Sequence, residues 1–107
     1  MITIDDFKKL DIRIGTVVSV EKIPEADKLL KFIFDIGGEE RQILAGMAEF
    51  ITDLDSLVGK QMPVLLNIEP RTMRGLVSHG MIMAADVDGT PILLFPQKEI
   101  PAGSVVM

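Results

Sequence analysis

The chain has no cysteine, no tryptophan and no tyrosine, and one histidine among its 107 residues. Without cysteine, disulfides, thiolate nucleophiles and cysteine-rich zinc sites are excluded. A single histidine, His79, leaves no pair for a metal cluster, and no serine–acid partner stands beside it in sequence. An exposed loop histidine is therefore expected rather than a catalytic base. Five phenylalanines are the only aromatic residues. Single-strand nucleic-acid binders depend on aromatic platforms, so a generic binder of that kind is disfavoured. No apolar run approaches the roughly 18 residues of a membrane span. Asp5 and Asp6 stand where the cationic start of a signal peptide would be. Positive charge is also scarce: the formal charge is −5, against the basic stripe of most sequence-independent nucleic-acid binders. The expectation is a cytoplasmic, non-enzymatic protein with no membrane contact, no metal and no cofactor.

Hydrophobic residues make up 48% of the chain, enough for a core of its own. One domain covering 1–107 is expected, small enough that a partner subunit would add stability. Charge is distributed unevenly. Residues 1–60 hold eight Lys/Arg against twelve Asp/Glu, whereas residues 61–107 hold three against four. Asp5, Asp6, Asp11 and the Glu39-Glu40 pair read as solvated carboxylates rather than a cation site.

Periodicity gives a series of short strands. Thr3 is a helix N-cap candidate, Asp5 and Asp6 suit a first turn, and Ile4, Phe7 and Leu10 recur at three-residue spacing. These predict a short amphipathic helix over Thr3 to Leu10. From Ile12 to Val20 a β-branched run predicts the first strand, with Gly15 marking a bulge or bend. Pro24 to Asp27 is a turn, and Leu30, Phe32, Phe34 and Ile36 predict a second strand. Phe32 and Phe34 share one face and point into the core. Gly37-Gly38 leads by a hairpin into a third strand, Arg41 to Ala45. Met47 to Leu57 predicts a short helix or irregular crossover. Gln61 to Leu66 is a fourth strand, which Pro63 places at an edge or near its start. Met81 to Val87 is a fifth, and Asp88-Gly89 turns into Ile92 to Phe95. The expected class is all-β with short helices: a five-stranded OB-fold Greek-key barrel with an N-terminal helix and a C-terminal extension.

Asn67 to Met81 joins two apolar strands by an unusually long polar connection, and long connections in small domains are usually functional or disordered. In an OB barrel the loop after the fourth strand is a ligand loop. Arg71 and Arg74 can hold phosphates bidentately, and Glu69 is the only acid in the segment. The Asn67 amide can meet a base edge or hold a loop carbonyl. Ser78 can donate to a phosphate or ribose, or simply make a turn. Met81 is either core or a polarizable surface for a base. Lys28 and Lys31 flank the start of the second strand, in the sheet region such a barrel presents to ligands. This chemistry suits a folded RNA recognised by shape, a few phosphates and one or two bases.

The ordered motifs resemble a known family. Ile4-Asp5-Asp6-Phe7 with Leu10 to Gly15, Pro24 to Leu29, Glu40 to Ile43, Leu57 to Lys60, Asn67 to Met81 and Pro101 to Ser104 are similar to the tRNA-binding domain. That domain is found at the C-terminus of methionyl-tRNA synthetase, in free-standing tRNA-binding proteins and in endothelial-monocyte-activating-polypeptide-type domains. The resemblance covers virtually the whole chain. It implies an OB barrel, homodimerisation, tRNA as partner, association with the synthetase catalytic domain, and no catalytic centre. It also implies that Lys28, Asn67, Arg74, Ser78 and Met81 belong to the tRNA-contacting surface. Glu69 stands where the family often has lysine, a loss that Arg71 partly offsets, and His79 stands where glutamine is frequent. A secretion-chaperone-like branch that binds peptides shares the fold but lacks the Ser78-His79-Gly80-Met81 type of run, and is the alternative reading. The dimer contact is expected from the N-terminal helix and the Pro96 to Met107 tail.

Overall fold

The computed structural model describes all 107 residues, Met1–Met107. Strand β1 (Ile12–Ile23) organises the rest. It pairs antiparallel with β2 (Ala26–Asp35) along residues 16–23 and with β4 (Gln61–Leu65) along residues 12–16. β3 (Glu40–Ala45) flanks β2, and β7 (Met81–Ile82) flanks β4, giving the order β3-β2-β1-β4-β7. Two small hairpins complete the fold: β5 (Arg71–Met73) with β6 (Leu76–Ser78), and β8 (Ala84–Val87) with β9 (Thr90–Leu93). Two single 3-10 turns, Ala48–Phe50 and Asp55–Leu57, carry the crossover from β3 to β4.

The sheet curls until β3 meets the segment beyond β6. There the His79 N–H donates to the Gln42 carbonyl at 2.8 Å, and the Leu44 N–H donates to Ser78 Oγ at 3.0 Å. Closure removes an open sheet edge. Leu30, Phe32, Phe34, Ile43, Met62 and Val64 fill the interior. Phe32 and Phe34 stack there with centroids 5.5 Å apart, as their shared strand face requires. The protein is mostly β, with the OB-type barrel expected from its sequence.

Several elements depart from expectation for identifiable reasons. The N-terminal helix is a single turn, α1 (Ile4–Phe7), held by a reciprocal Thr3–Asp6 capping box; Ile4 and Leu10 remain exposed. The second strand starts earlier, at Ala26, directly after the turn residue Glu25 at φ 64°. Gly15 makes no bulge. A Cβ there would sit 2.8 Å from the Phe34 ring, so glycine admits the core aromatic, and the register shifts of β1 fall between Val17 and Ser19 and between Lys22 and Ile23. β4 is interior to the sheet, yet β7 pairs only with Val64 and Leu65, which leaves Pro63 beyond that ladder. The expected fifth strand splits at Met83, whose N–H turns back to the Pro63 carbonyl while β8 pairs with β9.

The C-terminal extension lies beside β1. Gly103 and Val106 donate N–H groups to the Ile14 and Ile12 carbonyls, and the Ile14 N–H donates to Ser104. The buried Gln61 amide seals the tail by bonding both the N–H and the C=O of Ile100.

Candidate nucleic-acid interface

Within Asn67 to Met81, residues Arg71 to Ser78 form a hairpin, flanked by irregular segments at 67–70 and 79–80. Thr72 pairs with Val77 and Met73 with Leu76, across the two-residue turn Arg74-Gly75. Both turn residues have positive φ, 51° and 79°, as a type I′ turn requires. The tight turn sets Arg74 at the exposed tip, while Arg71 sits at the base opposite Ser78.

The roots of this hairpin are held by side chains. Asn67 Oδ1 accepts from the Asp11 N–H at 2.8 Å, and Asn67 Nδ2 donates to the Lys9 carbonyl at 2.7 Å. Arg41 Nη1 donates to the Leu66 carbonyl at 2.8 Å and to the His79 carbonyl at 3.3 Å, spanning both ends of the segment. Gln42 Nε2 donates to the Val77 carbonyl at 3.0 Å. Ser78 is buried, and its hydroxyl accepts from Leu44 and donates to the Gly80 carbonyl at 3.1 Å. Asn67 and Ser78 thus spend hydrogen bonds on the fold, one of the two roles that the sequence left open for each, while the family resemblance put both on the tRNA-contacting surface. Asn67 is exposed and keeps one free amide hydrogen.

Lys28, Arg71 and Arg74 are exposed and form no ion pair; the four pairs in the protein are Lys9–Asp6, Arg13–Asp11, Lys31–Glu21 and Arg41–Glu39. Lys31, the neighbour of Lys28 in the sequence reading, is therefore engaged on the sheet. Lys28 and Arg74 come together: both line an open concavity of about 240 Å³ between the β1–β2 turn and the hairpin tip. Glu25 and Asp27 line it too, so the site is a mixed-charge cleft. Arg71 lies about 10 Å from Arg74 along the strand, at about 3.3 Å per residue. With Met81, which is 43% exposed, Arg71 borders a second, larger concavity of about 510 Å³. The hairpin therefore links two recesses, with a free guanidinium at each. Three of the five carboxylates considered as a cation site are committed elsewhere, Asp6 to the α1 cap, Asp11 to Arg13 and Glu39 to Arg41, and the acids form no cluster that could hold a metal ion.

Arg41 and Gln42 escaped sequence reasoning as site-building residues. Their position, a cation and an amide heading the otherwise apolar strand Ile43-Leu44-Ala45, was the only available sign. The wall formed by Met83 to Asp86 escaped it as well, because that run read as an uninterrupted core strand.

Residues 12–105 match a family model described as a putative tRNA binding domain. The chain is 50% identical over 105 residues to the methionine–tRNA ligase of Archaeoglobus fulgidus, covering 98% of this chain and 16% of that protein. It is 47% identical over 106 residues to the methionine–tRNA ligase of Parabacteroides distasonis, again 98% of this chain and 16% of the relative. The chain thus spans about one-sixth of the length of these curated relatives. Among solved structures, the MetRS related protein from Pyrococcus horikoshii superposes with a TM-score of 0.93 at 34% identity, covering 100% of this chain and 98% of that one. The chaperone CsaA from Bacillus anthracis superposes with a TM-score of 0.89 at 28% identity, covering 100% and 99%.

Proposed function

The chain belongs to the tRNA-binding domain family, and on that premise we propose that it is a non-catalytic module that grips tRNA through the β5–β6 hairpin. Lys28, Arg71 and Arg74 are the cations that meet phosphates, and Met81 offers an apolar surface to a base. Asn67 and Ser78 belong to the same site as the residues that hold it in place, with the free amide hydrogen of Asn67 available to the ligand. The observation that carries this reading is where three of the seven cations without an ion-pair partner lie. In a chain with more acids than bases, they are left unpaired and placed on one hairpin and its neighbouring turn.

A grip of this kind is weak and directed at shape. Phosphate contacts position a nucleic acid without reading its sequence, so little preference among tRNAs is expected. The module acts as the C-terminal part of a methionyl-tRNA synthetase or as a free-standing helper in the cytoplasm, and raises the effective tRNA affinity of the catalytic domain. It works as a homodimer. The N-terminal segment and the tail support that reading, since both leave apolar groups exposed (Ile4, Leu10, Val105, Met107) and the tail runs beside the start of β1. Two copies present two hairpins, so modest contacts add through effective concentration. Sedimentation is expected to give a dimer at micromolar concentration, and a monomer there removes this part of the proposal.

Gel-shift titration of bulk tRNA at low salt tests the main reading, which fails if no complex forms. The likeness to CsaA keeps a second reading in play, in which apolar surface binds unfolded peptide. Competition separates the two: unfolded polypeptide is expected to leave the tRNA complex intact.

A further inference from the structure

The concavity at the hairpin base is used by no residue role assigned above except those of Arg71 and Met81. Its volume of about 510 Å³ falls within the roughly 300–1,000 Å³ of small-ligand sites. The wall is largely apolar, with Met47, Met81, Met83, Ala85 and Pro91 among its residues, and Asp86 and Arg71 are its charged members. Asp86 Oδ1 accepts from the Gly89 N–H at 2.7 Å, which fixes the carboxylate at the rim and leaves Oδ2 free.

We propose that this concavity receives one unstacked nucleobase of the bound RNA, with the base face against the methionine thioethers and its phosphate on Arg71. The proposal rests on the tRNA reading and adds a defined pocket to it. Three features select a nucleotide over an apolar side chain. Thioether sulfur packs favourably on π-systems, which supplies a stacking surface in a protein without exposed Tyr or Trp. A free guanidinium borders the same recess, matching the phosphate that accompanies every base. The fixed Asp86 carboxylate accepts hydrogen bonds only, so it suits a base edge that carries N–H donors. Sequence-directed RNA recognition commonly takes this form, with splayed bases from loops rather than paired ones. Arg74 and Lys28 at the other end of the hairpin then hold the neighbouring backbone.

The test uses the whole 107-residue protein with methyl-labelled methionines, titrated with bulk tRNA and with a blunt RNA duplex that has no unpaired base. The Met81 and Met83 methyl signals are expected to move upfield with tRNA, from the ring current of a stacked base, and to stay in place with the duplex. Met1 and Met107 are expected to remain unmoved in both. A groove-filling variant, Ala85→Trp, is expected to lose roughly tenfold in tRNA affinity, the effect of one stacked base, and to bind the duplex as before. Ala85 is exposed on β8, so the barrel core is untouched, and an unchanged melting curve confirms it. If the wild type binds tRNA while the Met81 and Met83 signals stay in place, or if A85W binds tRNA normally, the pocket is excluded and the hairpin grip survives. If A85W instead abolishes binding of an unfolded polypeptide and spares tRNA, the recess is a peptide site and the proposal is overturned. Failure of the wild type to bind tRNA at all removes the parent reading.

Discussion

Arg74 carries a charge at a position whose backbone favours another residue. Its φ of 51° lies in the left-handed region, where asparagine and glycine are at home and other side chains pay about 1 kcal/mol or more. Arg74→Asn therefore keeps the type I′ turn and removes the cation. The expected result is a melting temperature equal to or above wild type, with tRNA affinity lowered roughly tenfold for one lost charge-assisted contact. Gel shift and thermal melting measured together check it; unchanged affinity removes Arg74 from the site. Ser78 gives the opposite pattern. Ser78→Ala strips the buried Leu44 N–H of its acceptor, at a cost of about 1–3 kcal/mol. Stability is expected to fall first, and tRNA binding to be lost only as the barrel loosens. At the N-terminus, hydrogen bonds from the Thr3 backbone and from Lys9 hold the Asp6 carboxyl below its ordinary value. A depressed pKa in the folded state stabilises the cap above the unfolded value, and that contribution disappears as pH falls through the folded one. NMR titration is expected to place Asp6 below 3.8, with α1 fraying under acid conditions; Lys9→Met, which removes the second of these bonds and leaves the Thr3 N–H in place, should bring it part of the way back toward that value. Single residues were the least legible scale. Nothing in the sequence distinguishes a serine that bonds a backbone N–H across the barrel from one that bonds a phosphate.

At the scale of elements, periodicity placed the long strands well, because alternating burial is a local property of β1 and β2. The stack of Phe32 on Phe34 follows from the same alternation. Where tertiary contacts decide, the reading failed. Gly15 looked like a bulge or bend in sequence; the ladder to β4 runs through it in register, and the missing side chain is the gap that admits Phe34. The Asn67–Met81 segment looked like a loop because Arg74-Gly75 is a weaker hairpin signal than Asn-Gly. Its strands of three residues are also too short to show a period. The hairpin is held at its roots by Arg41, which bonds the carbonyls of Leu66 and His79. Arg41→Met preserves the apolar stem and removes both bonds. Hydrogen exchange is expected to accelerate at residues 71–79 while the β1–β2 core stays protected. Affinity for tRNA should drop without loss of any phosphate-contacting cation. Uniform exchange throughout would show that Arg41 does not act on the hairpin.

At the scale of the whole molecule, an acidic body carries a small cationic feature. Bulk composition disfavoured nucleic acid; within the charge distribution, only the local arrangement of three cations argues for it. The ordered motifs, not the charge, made the family legible in the sequence. The barrel explains how an acidic protein can work in this role: closure turns β3 and the hairpin into one rigid unit, so the few cations are already positioned before the RNA arrives. Such a grip has a defined salt signature. Each phosphate neutralised on a double-stranded target contributes a log–log slope of about −0.9, so Lys28, Arg71 and Arg74 together predict about −2.7 for each protomer engaged. Titrating bulk tRNA at a series of salt concentrations, for the wild type and for Arg71→Gln with Arg74→Asn, tests the central claim directly. The slope is expected to fall from about −2.7 to about −0.9 per protomer as the two hairpin charges are removed. A wild type that binds no tRNA at low salt, or a double variant with an unchanged slope, contradicts the account.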